Sequence, residues 1–359
     1  MIAVSERKQA LYDAVRMRVL VLGVDWHGDV APGLCKGFRA LGIDADARYL
    51  LTQRRRGLRP RIEDELRATA RFGPPIRRLH ERRILEATRS AVASVAPTLT
   101  VCLSPELMPA AAVEVAAADS MVAWWFADDP LSFARRGLAG PPPVLGRIAE
   151  HGDRSFVAHP AWARGALAGA RYLPYAARFE PDRPAYATAE RRRRCVVVGS
   201  PRPERVELLA GIVAALGDAI DVWGWGPRGR LPTNSTTRPF RRSLRGWRVL
   251  GPDEAAAVYR SASLVLNLQD RQMIGAWNPQ TFDLMALGVP QVVWNRRPVD
   301  YLEHPPPFAS SVDGLVELAR GSMDNPLAVD GLRDAYEEAR RRHRWRHRAE
   351  GIAAAAGAL

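Results

Sequence analysis

Three short stretches in the second half of the chain set small residues beside groups that bind phosphate, ribose or a flat ring: Gly199-Ser200, Trp223-Gly224-Trp225-Gly226 and Asn278-Pro279-Gln280-Thr281-Phe282-Asp283. The third is the most explicit. Asparagine suits a helix N-cap and proline the first helical position, so the amides of Gln280, Thr281 and Phe282 are expected to point outward at the positive end of the helix dipole, where phosphate binds. Asp283, one turn in, either accepts the two ribose hydroxyls of the same nucleotide or simply favours the first turn. Trp223 and Trp225 either flank a nucleobase, which neighbouring glycines let approach, or are structural tryptophans beside turn glycines. In the first half, Asp25, Trp26, His27 and Gly28 follow a strand, and an acid or histidine there can orient or deprotonate a hydroxyl. His27 reads equally well as a loop residue bonded to backbone. Asp128 and Asp129 precede Pro130, where one can act as base or stabilise developing positive charge while the other caps the next turn. His159, before Pro160, reads as a capping or packing residue.

The elements that must position these groups alternate. Arg18 to Val24 is an apolar strand, followed by a helical pattern over Pro32 to Leu41. A strand over Asp44 to Leu50 and helices around Ile62 to Ala70 and Ile76 to Val95 come next. Strands follow at Leu99 to Leu103, Met121 to Phe126, Ser155 to Ala158 and Arg171 to Leu173, with a helix ending at Ala118 and a further segment near Leu145 to Glu150. From Pro174 to Arg194 proline, charge and small residues break the pattern. The alternation then restarts: strands at Cys195 to Val198, Ile220 to Trp223, Leu264 to Leu268 and Gln291 to Trp294, and helices at Pro203 to Leu216, Asp253 to Ser261 and Pro279 to Leu287. Strand-helix alternation implies parallel pairing with right-handed crossovers, and ligands beyond the carboxyl ends of the strands. The expected domains are 1–176, a linker 177–194, a second α/β domain 195–329, and C-terminal helices 330–359 packing back on the first domain.

Composition narrows the partners. The chain of 359 residues carries a formal net charge of +13, almost all of its positive side arginine, since Lys8 and Lys36 are the only lysines. Such a surface attracts phosphates, anionic lipids and nucleic acid alike. The runs Arg54 to Arg56 and Arg191 to Arg194 lack interleaved aromatics and read as solvated linker or helix end, so no nucleic-acid partner is expected, while a peripheral membrane contact stays open. Cys35, Cys102 and Cys195 show neither metal-ligand spacing nor a disulfide framework. With no apolar signal core after Met1 and no run of about 18 apolar residues, a cytoplasmic location is expected.

The stretch NPQTFDLMALGVPQVV resembles the nucleotide-binding signature of group 1 glycosyltransferases, and more closely that of the spore-maturation (CgeB-type) branch, which reads Asn-x-Arg-x-Phe-Glu followed by Ala-x-Gly. VVVGSPRPERVELLAGI is similar to that branch's opening of the second domain, with Arg205 at the matching arginine, and GPDEAAAVYRSASLVLNLQ to its helix and strand, with Asn267 near the strand end. WWFADDP at Trp124 to Pro130 and YLPYAARFEPDRP resemble two further segments, so the likeness spans most of residues 99 to 350. It implies the GT-B fold: two Rossmann-like parallel-sheet domains facing a central cleft. The second would hold a nucleotide-diphosphate sugar, a UDP-sugar first, and the first a small-molecule or glycan acceptor, with no cofactor and no metal. The chain departs from the pattern at Gln280, where the family has arginine, at Asp283 in place of glutamate, and at Gly275, where an upstream acid would fall. Arg205 or Arg202 must then neutralise the diphosphate. The expected activity is glycosyl transfer, the resemblance leaning toward retention. A sugar-nucleotide epimerase and a non-catalytic nucleotide- or glycan-binding relative are the alternatives. The oligomeric state is not assigned.

Overall fold

The structure is a computed structural model that describes residues 17–24, 30–51, 73–105, 108–127, 154–164, 167, 169–188, 192–199, 203–224, 242–246, 250–270, 273–296, 298, 300–324 and 329–357. The chain divides into two compact units, Met1–Pro174 with Trp345–Leu359, and Tyr175–Arg344. Each is a parallel sheet flanked by helices, so the described residues form two α/β domains.

The first unit carries β1 (Arg18–Val24), α1 (Val30–Arg39), β2 (Asp44–Leu51), α2 (Gly73–Val95), β3 (Leu99–Leu103), α3 (Ala110–Ala118), β4 (Met121–Phe126), β5 (Ser155–Val157) and β6 (Arg171–Tyr172). Its sheet order is β2-β1-β3-β4-β5-β6, all parallel. Strands covered on both faces must be apolar throughout, and Val19 to Leu22 are fully buried accordingly. Leu20, Leu22, Cys102, Trp124 and Phe126 pack on Ile84 and Val92 of α2 and Val113 of α3. Each such side chain contributes about 1.5–3 kcal/mol of transfer free energy. The last helix of the chain (Trp345–Ala355) belongs to this unit and lies along α1. The approach requires glycine: a Cβ built on Gly33 would run into the Trp345 indole, and one on Gly37 into the Trp345 carbonyl.

The second unit carries α4 (Ala185–Thr188), β7 (Arg192–Val198), α5 (Pro203–Leu216), a short 3-10 turn, β8 (Ile220–Trp223), α6 (Pro252–Ser261), β9 (Ala262–Leu268), α7 (Pro279–Leu287), β10 (Gln291–Trp294), β11 (Phe308–Ala309), α8 (Val312–Asp324) and α9 (Val329–Arg342). The helix along α1 is therefore α10. The order β11-β10-β9-β7-β8 is again parallel throughout. One apolar cluster joins Val197, Leu266 and Val292 to α5 and α8, and another joins Val196 and Val265 to α6 and α7.

Three features differ from the sequence reading. The strand β7 opens at Arg192 rather than Cys195, because Arg194 bonds the Asp218 carbonyl at 2.7 Å and pairs with Asp221 at 3.1 Å, so a run that reads as solvated linker extends the sheet. Two further residues of the 177–194 stretch are packed as well: Ala177 and Ala185 are fully buried, and the Ala177 N–H donates to the His343 carbonyl at 2.8 Å. The 330–359 stretch splits at residue 344 between the two units. The patterns near Ile62 to Ala70 and Leu145 to Glu150 lie outside the described residues. No helix of the described residues is long and apolar enough to cross a membrane.

A buried hydrogen-bonded pair closes α9. Glu338 and His343 are fully buried with His343 Nε2 2.8 Å from Glu338 Oε1, and the carboxylate also accepts the backbone N–H groups of Glu303 at 2.9 Å and His304 at 2.8 Å. Burial alone raises the carboxyl's pKa, but the hydrogen bonds from His343, Glu303 and His304 outweigh it and hold the group below its ordinary 4.5. On acidification the unfolded chain therefore binds this proton first, so the link contributes its full stability above about pH 4.5 and loses it as pH falls through the lowered value. Thermal unfolding between pH 6 and pH 3 should show a steeper loss of Tm in the wild type than in Glu338→Gln; parallel slopes would contradict the assignment.

Candidate functional site

In a doubly wound sheet the crossovers on either side of the first strand run to opposite faces, and a crevice opens at the carboxyl ends of that strand and its neighbour. In the second unit this point lies between β7 and β9. After β7 comes Gly199, whose N–H donates to the Trp223 carbonyl at 3.2 Å. After β8 comes Gly224 at φ +83°, where a Cβ would stand 2.8 Å from the Gly199 carbonyl oxygen, so only glycine fits. Arg205, in the first turn of α5, reaches Asp270 beyond β9 with Nε 2.7 Å from Oδ1. A Cβ on Gly199 would be 3.0 Å from Arg205 Nη1, which places the guanidinium against bare backbone. An ion pair thus spans the switch point.

The start of α7 is built by a buried amide network. Asn278 is the N-cap, its Oδ1 accepting the Thr281 N–H at 3.0 Å, and Pro279 occupies the first turn. Asn267, on β9, donates through Nδ2 toward Asn278 Oδ1 at 3.0 Å, Thr281 Oγ1 at 2.9 Å and Gln291 Oε1 at 3.2 Å, and accepts Asn278 Nδ2 at 2.7 Å. Gln291, on β10, closes the ring by donating to the Thr281 carbonyl at 3.0 Å. These four side chains are buried. Asn267, Asn278 and Thr281, expected as donor-binding residues, are thereby committed to one another, and the Thr281 amide is taken by its cap rather than directed outward. Gln280 differs: its Nε2 is buried and has no hydrogen-bond partner among the described residues. The loop before α7 is fixed in the same manner, since Asn295 accepts the Gly275 N–H and donates to the Ala276 carbonyl, both at 2.9 Å. The helix ends at Gly288 in the left-handed region, φ +64°, with Pro184 and Tyr186 against its bare face.

Asp283 also has a different environment from the one expected. Its side chain is 0% exposed. Oδ1 accepts the Arg178 backbone N–H at 2.7 Å, and Oδ2 lies 2.8 Å from Arg178 Nε and 2.7 Å from Nη2. The carboxylate is thus held inside the unit, and ribose hydroxyls do not reach it without displacing Arg178. Phe282 is fully buried and packs against His343 as core, ring centroids 5.1 Å apart and planes inclined at 58°. Trp223 is half-buried, packs on the cluster containing Val196 and Tyr259, and lies against Gly246. The buried Tyr259 hydroxyl is pushed up first by desolvation and then by the Asp283 carboxylate, with Arg178 and Arg205 opposing. Two guanidinium groups therefore act on one ring. Arg178 was missed because its partner lies 105 residues away and its own neighbours read as linker.

In the first unit, β3 is followed by Ser104, a buried serine in the left-handed region at φ +52° whose N–H donates to the Trp125 carbonyl at 2.9 Å. Such an outlier is at home on the edge of a sheet where ligands bind. Asp25 and His27 follow β1 in the chain, and Asp128 and Asp129 follow β4; these four lie outside the described residues, as do Ser200, Arg202 and Trp225. His159 acts as a cap, its Nδ1 3.2 Å from the Ala161 amide. Among the described residues no group of three or more His, Cys, Asp or Glu is placed to hold a metal ion.

Removing Asn267 should cost stability rather than chemistry alone. Asn267→Ala leaves buried partners on β10 and α7 unpaired, at about 1–3 kcal/mol for each group so orphaned. Denaturant unfolding should show an unfolding free energy lower by that amount, and a variant as stable as wild type would contradict the network.

Residues 187–354, just under half of the chain, match the family model described as "Glycosyl transferase-like". No curated protein matches the sequence. Among solved structures, the N-terminal domain of trehalose-6-phosphate phosphatase from Candida albicans aligns with TM-score 0.66 and 11% identity over 95% of this chain and 97% of that one. AviGT4, a glycosyltransferase involved in avilamycin A biosynthesis, aligns at 0.56 and 13% identity over 95% and 98%. A putative UDP-N-acetylglucosamine 2-epimerase from Listeria monocytogenes aligns at 0.55 and 12% over 94% and 94%. At such identities the likeness is one of fold, and that fold is the two-domain α/β fold of GT-B glycosyltransferases, which the first and second units each supply in part.

Proposed function

We propose that the chain is a glycosyltransferase that takes a sugar from a nucleoside-diphosphate donor, a UDP-sugar first, and passes it to an acceptor hydroxyl. The observation that carries this reading is the Arg205–Asp270 pair spanning the switch point beside the bare backbone of Gly199. Charge develops on the departing diphosphate during transfer, and a fixed guanidinium with the amide-bearing start of a helix lowers that barrier electrostatically. Gln280 supports it, because its buried amide donor has no hydrogen-bond partner among the described residues and is costly unless a ligand accepts from it. The donor set is then Gly199, Ser200, Arg202 and Arg205, with Pro279 and Gln280 at the start of α7 and Trp223, Gly224 and Trp225 near the base. Asp25, His27, Asp128 and Asp129 are the candidates to deprotonate the acceptor, from the corresponding strand ends of the first unit. The fold neighbour described as a putative epimerase favours a second reading, in which the same donor pocket serves epimerisation of the sugar nucleotide.

The two readings separate in one experiment. A thermal-shift panel of UDP, GDP, dTDP, ADP and CDP should show one diphosphate stabilising the wild type, by about 2.7 kcal/mol at roughly a hundredfold excess over its Kd, and failing to stabilise Arg205→Ala. The matching sugar nucleotide incubated without acceptor should stay intact under the transferase reading and appear as an epimer under the other. If no diphosphate shifts the wild type, the donor reading falls.

A further inference from the structure

The positive charge of the chain is concentrated in one stretch. Residues 54–89 hold twelve arginines and five acidic residues, a net of +7 out of the +13 carried by all 359 residues. The described end of that stretch is α2. One side of this helix is core: Ile84, Thr88, Ala91 and Val92 are buried, and Ile84, Ala91 and Val92 belong to the apolar cluster of the first unit. The opposite side carries Arg78, Leu79, Arg82, Arg83, Glu86 and Arg89, all exposed. Glu86 pairs with Arg82 at 2.9 Å, and the exposed Glu81 stands at the margin, so four guanidinium groups outnumber two carboxylates. Leu79 follows Arg78 directly and precedes Arg82 and Arg83 by one turn, which sets it among three arginines. It is 47% exposed, one of three large apolar side chains among the described residues that stay so open to water.

We infer that this exposed face of α2 is a peripheral docking surface for a bilayer rich in anionic lipid. The assignment goes beyond the donor reading and does not rest on it, since it uses no residue of the second unit. Charge complementarity carries it. Anionic headgroups attract each basic side chain that comes within a Debye length of the surface. The arginine stems lie along apolar material while their guanidinium groups stay at headgroup level, and the leucine among them is covered at the acyl boundary. A nucleic acid offers the same phosphate charge, but its backbone gives a leucine nothing apolar to enter, and α2 has no Phe, Tyr or Trp on which a base could stack.

Flotation of the full chain with lipid vesicles tests it. The wild type should bind vesicles of phosphatidylcholine and phosphatidylglycerol in equal parts, lose that binding as salt rises, and partition at least about tenfold more weakly onto pure phosphatidylcholine. Arg78→Gln/Arg83→Gln should lower partitioning onto the mixed vesicles about 10- to 30-fold, roughly fivefold for each arginine. Glutamine keeps the helix, and exposed positions leave Tm close to that of the wild type. Arg333→Gln/Arg340→Gln, which removes the same charge from exposed positions of α9, should stay within about twofold. Leu79→Gln should bind about fivefold more weakly with the salt dependence of the wild type, because it removes apolar contact and no charge. A wild type that binds mixed vesicles no better than pure phosphatidylcholine overturns the inference without any variant. Equal losses in the two arginine pairs overturn it as well, since they mark bulk charge rather than α2. Full vesicle binding by Leu79→Gln, or duplex DNA held by the wild type as tightly as the mixed vesicles, overturns the lipid assignment and gives the face to a nucleic acid.

Discussion

A helix that begins inside a packed sheet must satisfy its first amides without water, and the second unit is organised around that requirement. The helix α7 starts between β9 and β10, and four buried side chains, Asn267, Asn278, Thr281 and Gln291, exchange hydrogen bonds there, with the Thr281 amide and carbonyl among the groups they satisfy. Because each group is both donor and acceptor for its neighbours, the two strands and the helix hold a single register. Arg178 and Asp283 then attach the chain entering the unit to the same helix, and Gly288 ends it against Pro184 and Tyr186 of that entering segment. The polar interior fixes where the helix starts, and the helix start fixes what faces the ligand edge of the sheet.

This arrangement divides the polar residues of one motif by task. Asn278, Thr281 and Asp283 face inward and are matched by protein partners, whereas Gln280 between them is left with an unmatched buried donor among the described residues. Residues that look alike on a signature therefore differ in energy: the first group stabilises the unit, and the second costs stability unless a ligand is present. The arginines divide likewise. Arg194 and Arg245 neutralise Asp221 on β8, whereas Arg205 meets Asp270 beyond β9 and Arg178 meets Asp283 on α7.

The parts of the fold visible in the sequence are those whose causes are local. The strands β1, β3 and β4 are apolar on both faces and read directly as buried parallel strands, and α7 announces itself by an asparagine-proline start and a glycine stop. The two-residue β11 and the four-residue α4 are too short for any period to register. Arg194 near the head of β7 reads as solvated because nothing nearby in sequence hints at Asp221 across the sheet. The site was legible to the same degree. Gly199, Arg205 and the start of α7 could be placed from strand ends, but the role of Asp283 turns on Arg178, and the commitment of Asn267 turns on residues of α7 and β10, contacts that exist only once the sheet has formed. The close passage of the last helix over Gly33 and Gly37 was invisible for the same reason.

Under the proposed function, the carboxyl edge of the second sheet, at β7 and β9, receives a nucleoside diphosphate while the amide network beneath it stays closed. A crystal structure of the chain with the diphosphate that it binds most tightly tests this directly. The phosphates should lie within hydrogen-bond distance, about 2.7–3.2 Å, of the Gly199 backbone and Arg205, with Asn267 and Asn278 still bonded to each other. A nucleotide bound elsewhere, or one whose phosphates are held by Asn267 and Asn278 turned out of their network, would contradict it.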